Sequence, residues 1–335
     1  AGAASRHGWE SAGAQDQYVR WNNGALAASA KDDYRNEMNT FGYVVEMDPY
    51  DKSQPVRKRT GLGRFAHESV AFAKPVAGQP IVAYMGDDAR GEYIYKFVSD
   101  AKWDPKDASP ANRLAAGDKY LDLGTLYVAK FNADGSGQWL PLVWNQNGLT
   151  AANGFADQDE VLIKTRQAAD RVGATMMDRP EWVAVHPTTR EVYLTLTNNN
   201  RRGTNTASSN NPNGTTTAGS ARPPVDAANP RRDNRYGHII RWNEANGDVA
   251  ATSFQWDIFV ECGDSLSAAP NLQGNIIGDD LGAPDGLWFD KDGRLWIQTD
   301  QVGNATGDFA NIGGNAMFCA DPATRQITRF LTSPI

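Results

Sequence analysis

Apolar and polar positions alternate along this chain in short bursts. The stretch HESVAFAKPVAGQPIVAYMGDD (67–88) holds one apolar run, a turn and a second apolar run. PEWVAVHPTTREVYLTLTNN (180–199) and PDGLWFDKDGRLWIQTD (284–300) repeat the design. Alternation with period two, bounded by Gly, Pro, Asp and Asn, predicts β-hairpins. Each of the three opens on an acid, namely Glu68, Glu181 and Asp285. Each closes on polar residues: Asp87 and Asp88, Asn198 and Asn199, and Asp300.

A second kind of hairpin interleaves with the first. It comprises GYVVEMDPYDKSQPVRKR (42–59), GTLYVAKFNADGSGQWLPLV (124–143), GHIIRWNEANGDVAATSFQW (237–256) and GNAMFCADPATRQITRFL (314–331). An acid-led hairpin followed by an outer one makes a four-stranded antiparallel sheet, the blade of a β-propeller. The expected fold is therefore all-β: one partial propeller domain over residues 1–335, with three blades starting near Glu68, Glu181 and Asp285 and half a blade at 42–59. Two insertions decorate it. Residues 154–174 carry Val161, Leu162, Ala168 and Val172 near helical spacing, which predicts a short helix. Residues 198–235 are rich in Asn, Thr, Ser and Gly and read as a solvated loop, with a lid over the site as the alternative.

Innermost propeller strands line a central channel, and residues just before them sit at one mouth of it. Glu68, Glu181 and Asp285 share that register. Three carboxylates on one axis repel, and a hard cation with oxygen ligands relieves them. The alternative is that each acid merely caps a turn. Proline beside two of the acids, in PE and PD, restricts the approach of the chain and so the aim of the side chain. In MMDRPEW, Arg179 adds a guanidinium suited to an anion; its alternative is an ion pair with Asp178 or Glu181.

Composition narrows the function classes. Ten Trp and eleven Tyr in 335 residues suit an aromatic-rich β protein. A net charge of −7 argues against a nucleic-acid partner. No apolar run reaches membrane-spanning length. Cys262 and Cys319 form no CxxC pair, the four His form no HExxH, and GxSxG and P-loop patterns are absent. The first residues have no basic start and apolar middle of a signal peptide, as is also the case once a leader has been removed.

Several long motifs, in order, resemble the PhoX-type alkaline phosphatases of bacteria: RFAHESVAF, GDDARGEYIYKFVSDAKWDP, GTLYVAKFNADGSGQWLPL, GATMMDRPEWVAVHP, EVYLTLTNNNRR and GAPDGLWFDKDGRLWIQTDQVG. The likeness runs from about residue 43 to residue 330. It implies a β-propeller hydrolase of small phosphate monoesters that uses calcium and iron and is exported folded by the twin-arginine route to the periplasm or beyond. By the same resemblance Glu68 (in HE), Glu181 (in RPEW) and Asp285 (in PDG) are metal ligands, Asp300 (in QTD) is a further one, and Arg179 is the catalytic residue that holds substrate phosphate. The family also carries, upstream, a strand with an iron-ligating cysteine, and downstream at least one more strand pair; neither has a counterpart here. The chain is thus expected to be an internal piece with an incomplete iron site, completed by further segments or by self-association across open sheet edges. Because the PDG start is also similar to gluconolactonase and regucalcin-type propellers, a calcium-dependent lactonase is the alternative enzyme, and a non-catalytic propeller fragment is the third reading.

Overall fold

A computed structural model describes residues 24, 26–110, 112–204, 222–301 and 306–333. A small sheet pairs β1 (Val44–Glu46) with β2 (Arg57–Arg59). An antiparallel meander follows: β3 (His67–Phe72), β4 (Pro80–Asp87), β5 (Ile94–Lys102), β6 (Gly124–Phe131) and β7 (Ser136–Pro141). The next meander is β8 (Pro180–Val185), β9 (Val192–Leu196), β10 (His238–Glu244) and β11 (Ser253–Glu261). β7 pairs with β11, which fuses the two into one sheet of nine strands. The last sheet runs β13 (Pro284–Phe289), β14 (Leu295–Thr299), β15 (Ala316–Ala320) and β16 (Gln326–Thr332), with β12 (Ile277–Gly278) parallel to β16 on its edge. The fold is all-β, and every hairpin expected from the alternation is present.

The first strands of the three meanders, β3, β8 and β13, pack side by side, β8 in the middle. The space between the first and second meanders is filled by Tyr84, Trp139, Trp242 and Phe254. Tyr193, Phe259, Phe289 and Leu295 fill that between the second and third. Strands β4 and β9 are therefore covered on both faces, and both are buried almost throughout instead of alternating.

Three expectations need correction. The alternation does not predict β5, which places the 124–143 hairpin fourth and fifth in its meander instead of third and fourth. Lys96 interrupts its apolar run, yet Lys96 is fully buried: its Nζ lies 3.0 Å from Glu244 Oε2 and donates to the Ala251 carbonyl at 2.8 Å. Residues 154–174 form two short helices, α1 (Gln158–Ile163) and α2 (Thr165–Val172), in place of one. They break at Lys164, whose ψ of 37° leaves the helical region. The reading of 198–235 as a solvated loop fails at both ends, its middle (205–221) lying outside the described residues. Asn199, Arg202, Asn229 and Asn234 are fully buried. Arg202 donates to Asp178 at 2.8 Å, and the Asn199 and Asn234 amides donate to its two oxygens at 2.9 Å each. Matched charge and amide groups do here what apolar side chains do elsewhere.

Gly86, near the end of β4, lets that strand touch the start of β8: a Cβ there would stand 2.4 Å from the Glu181 carbonyl oxygen. Gly86→Ala is expected to destabilise the protein by about 1–3 kcal/mol, as overpacking does, measured by denaturant unfolding; unchanged stability would show that the two strands can part freely.

Candidate functional site

Each of the three inner strands begins with a β-bulge at the same place. The register skips from His67 to Val70 in β3, from Pro180 to Val183 in β8, and from Pro284 to Leu287 in β13. The acid is the first skipped residue every time: Glu68, Glu181, Asp285. A bulge frees a residue from the ladder and re-aims its side chain. The repeat continues in the backbone, because Asp88, Thr197 and Asp300 donate their N–H to the carbonyls of Ala66, Arg179 and Ala283 at 3.0, 3.1 and 2.8 Å. Side chains from neighbouring strands cross-link the freed segments. Ser69 Oγ accepts from the Val183 N–H at 2.9 Å, and the Thr195 and Thr197 hydroxyls donate to the carbonyls of Asp285 and Pro284 at 2.6 and 2.9 Å.

These devices bring one carboxylate oxygen each from Glu68, Glu181 and Asp285 within 4.8 Å of one another. Glu68 is exposed, Asp285 half-buried and Glu181 buried. Burial raises the Glu181 carboxyl to about 9, against the pull of Arg179 and with help from Asp88 and Asp285. Burial, then the charges of Glu68 and Asp300, raise Asp285 to about 6. Glu68 is pushed up by burial and by Asp88. All three therefore resist ionisation unless positive charge arrives.

Arg179 supplies one such charge. Its Nε donates to Asp88 Oδ1 at 2.8 Å, and its Nη2 lies 2.7 Å from Glu181 Oε1 and 3.8 Å from Asp300 Oδ2. The Glu181 contact is an ion pair off the hydrogen-bond direction, since that oxygen makes no aligned hydrogen bond. Arg179 sits at φ 63° immediately before Pro180, as Ala283 sits at φ 49° before Pro284. Left-handed backbone is uncommon for a non-glycine residue and persists where surroundings over-determine it.

Of the sequence-derived candidates, Glu68, Glu181 and Asp285 converge, Arg179 adjoins them, and Asp300 lies at the rim. Asp178, one suggested partner of Arg179, instead binds Arg202. Asp88 was legible only as one of two acids closing its hairpin; strand register, not composition, selects it over Asp87, which turns to Arg166. The donor set, all carboxylate, fits a hard divalent cation such as calcium. It does not fit an iron thiolate: Cys262 is buried in the core between the second and third meanders, and neither cysteine joins the carboxylate group.

Fold and site together define an all-β protein with three convergent carboxylates, a group that could hold a cation. The family model for alkaline phosphatase PhoX matches residues 3–335, and the chain belongs to that family. A solved structure, Pseudomonas fluorescens PhoX in complex with vanadate, a transition state analogue, is 43% identical with a TM-score of 0.77, over 96% of this chain and 56% of that one. This chain thus spans just over half the length of that relative. The polysaccharide lyase Uly1 aligns at 10% identity and a TM-score of 0.28, over 78% of this chain and 40% of that one, and carries no argument. No curated protein matches the chain significantly. No helix among the described residues is long and apolar enough to cross a membrane.

The raised carboxyls set a pH dependence. A group holding its proton more tightly when folded makes stability fall as pH rises from its unfolded value toward its folded one. In chelator, stability is expected to fall between about pH 4.5 and 9, the span from the ordinary glutamate value to that of Glu181. Saturating calcium should remove the fall, because a bound cation favours the ionised carboxylates. Thermal unfolding across pH, with and without calcium, checks both; an identical slope in the two series would count against a shared cation.

Proposed function

We propose that the protein hydrolyses phosphate monoesters at this centre. The observation that carries the reading is the placement of Arg179 against a convergent carboxylate triad. Membership of the family supports it, and so does the oxyanion vanadate bound by the relative at 43% identity.

In this reading Glu68, Glu181 and Asp285 hold a divalent cation, calcium by the chemistry of the donors, and Asp300 adds an oxygen at the open rim. The cation, when bound, draws negative charge from the phosphoryl oxygens. Arg179 holds the ester phosphate through its planar fork. Asp88, on Nε, fixes the plane of that fork and leaves Nη1 to turn toward substrate, while Nη2 rests against Glu181. The rigid strand starts keep these groups in place, which is most of what phosphoryl transfer asks of a protein. No step is derived through iron, for which these residues offer no sulfur.

The three meanders are read as blades of one partial propeller domain. The residue 198–235 insertion belongs to its second blade, and further segments or a second copy would cover the open sheet edges. Export to the periplasm by the twin-arginine route belongs to the same reading and rests on the family resemblance.

Calcium-dependent release of p-nitrophenol from p-nitrophenyl phosphate, abolished by chelator and absent with a lactone, is the direct assay. Arg179→Ala is expected to weaken vanadate binding at least tenfold, the order lost with one charge-assisted contact, while calcium stoichiometry by metal analysis stays as in wild type. Glu181→Gln should lose both. Full calcium occupancy with no turnover of the phosphate ester would overturn the proposal, and calcium loss in Arg179→Ala would overturn the role given to that residue.

A further inference from the structure

Arg90 lies two residues beyond Asp88 and pairs through its backbone with Asp178, the neighbour of Arg179, in an isolated antiparallel bridge. Its side chain is half-buried. Nε and Nη2 both donate to one neutral acceptor, Asn198 Oδ1, at 3.2 and 2.9 Å. Among the described residues no carboxylate forms an ion pair with it, in contrast to Arg59, Arg166 and Arg202, each of which faces at least two. Arg231 is also without a carboxylate, but it spends its donors on the Cys262 and Gly237 carbonyls inside the core. Arg90 has no such enclosure; it is half-buried, bridged to the residue before Arg179, with its charge unmatched.

Its neighbours sharpen the imbalance. Burial, then the charges of Arg179 and Arg201, push Arg90 below the usual arginine range. Asp88 alone pulls the other way, and its Oδ1 is already engaged by Arg179. A half-buried cation beside like charges is costly unless an anion pairs with it. The guanidinium fork suits a carboxylate or a phosphate.

We propose that Arg90 forms a second anion subsite adjoining Arg179, and that it takes a second anionic group on the alcohol side of the phosphate ester. The preferred substrates are then organic phosphates that carry a further carboxylate or phosphate. The inference rests on the phosphate-binding role given to Arg179.

The test uses two non-hydrolysable probes that differ by one carboxylate: methylphosphonate and phosphonoacetate. Calorimetric titration of the calcium-loaded protein is expected to show phosphonoacetate binding about tenfold more tightly, as one charge-assisted contact provides. Arg90→Gln keeps a donor for Asn198 and removes the charge; it should bring the affinity ratio close to one, with the melting temperature as in wild type. Arg179→Ala should weaken both probes together. Wild-type protein that binds methylphosphonate without preferring phosphonoacetate, or an Arg90→Gln protein that is folded and keeps the full preference, overturns the subsite and leaves the phosphatase reading standing. Wild-type protein that binds neither probe overturns both.

Discussion

Repulsion among three carboxylates is the constraint that the rest of this structure answers. Two unit charges at the separation found here repel by roughly 3–4 kcal/mol at the effective dielectric of a protein surface, somewhat less at exposed Glu68, where water screens. Nothing local to any one hairpin would gather such groups. What gathers them is the packing of three meanders over the two aromatic cores between them, so that apolar burial brings the acids together against their charge. Glu181 bears most of the cost because it is the buried member, on the middle strand.

The local devices follow from that. A regular β-strand would send a side chain at the second position to one face or the other in the plain alternation. The bulge removes it from the ladder, and the backbone groups so freed need partners. The Thr195 hydroxyl meets that need twice over, accepting from the Trp182 N–H at 3.0 Å and donating to the Asp285 carbonyl at 2.6 Å. It belongs to β9 but serves the bulges of β8 and β13 together. Arg179 and Ala283 hold left-handed backbone at the same step of their repeats, where the carbonyl of each accepts from the residue that ends the hairpin. Strain at the strand starts is thus matched by bonds repeated from meander to meander.

The hairpins and the three acids were legible because both signals are periodic. Alternation marks a strand whether or not its neighbours are known, and an acid that recurs before three such strands marks a shared axis. Features that depend on partners distant in the chain were not legible. β5 hides behind Lys96, a charge that fits the interior only because Glu244, Tyr84 and Trp139 wait on other strands: the Tyr84 hydroxyl donates to Glu244 at 2.8 Å and the Trp139 indole at 3.1 Å. The ends of the polar 198–235 segment read as solvated because each charged or amide group was counted alone; Asp178 turns three of them into buried partners. Asp88 and Arg90 acquire meaning only once register places one against Arg179 and leaves the other without a carboxylate.

A site spread over three meanders has a mechanical consequence. Its ligand distances are set by the spacing between meanders and not by any one strand, so whatever fixes that spacing also fixes the chemistry. Two kinds of contact do so here. Gly86 allows β4 to lie against the start of β8, which sets the depth of Glu181 directly. Farther from the site, the Lys96–Glu244 pair joins β5 to β10 across the first core, and burial pulls Lys96 down and Glu244 up. A buried pair of this kind adds little net stability, because desolvation offsets most of its attraction. It does penalise any sliding of one meander past the other, since a small displacement would leave two buried charges unmatched. Aromatic packing tolerates such sliding better than a matched charge does. The pair is therefore best understood as a register pin for the two meanders, and the three carboxylates inherit the register it sets.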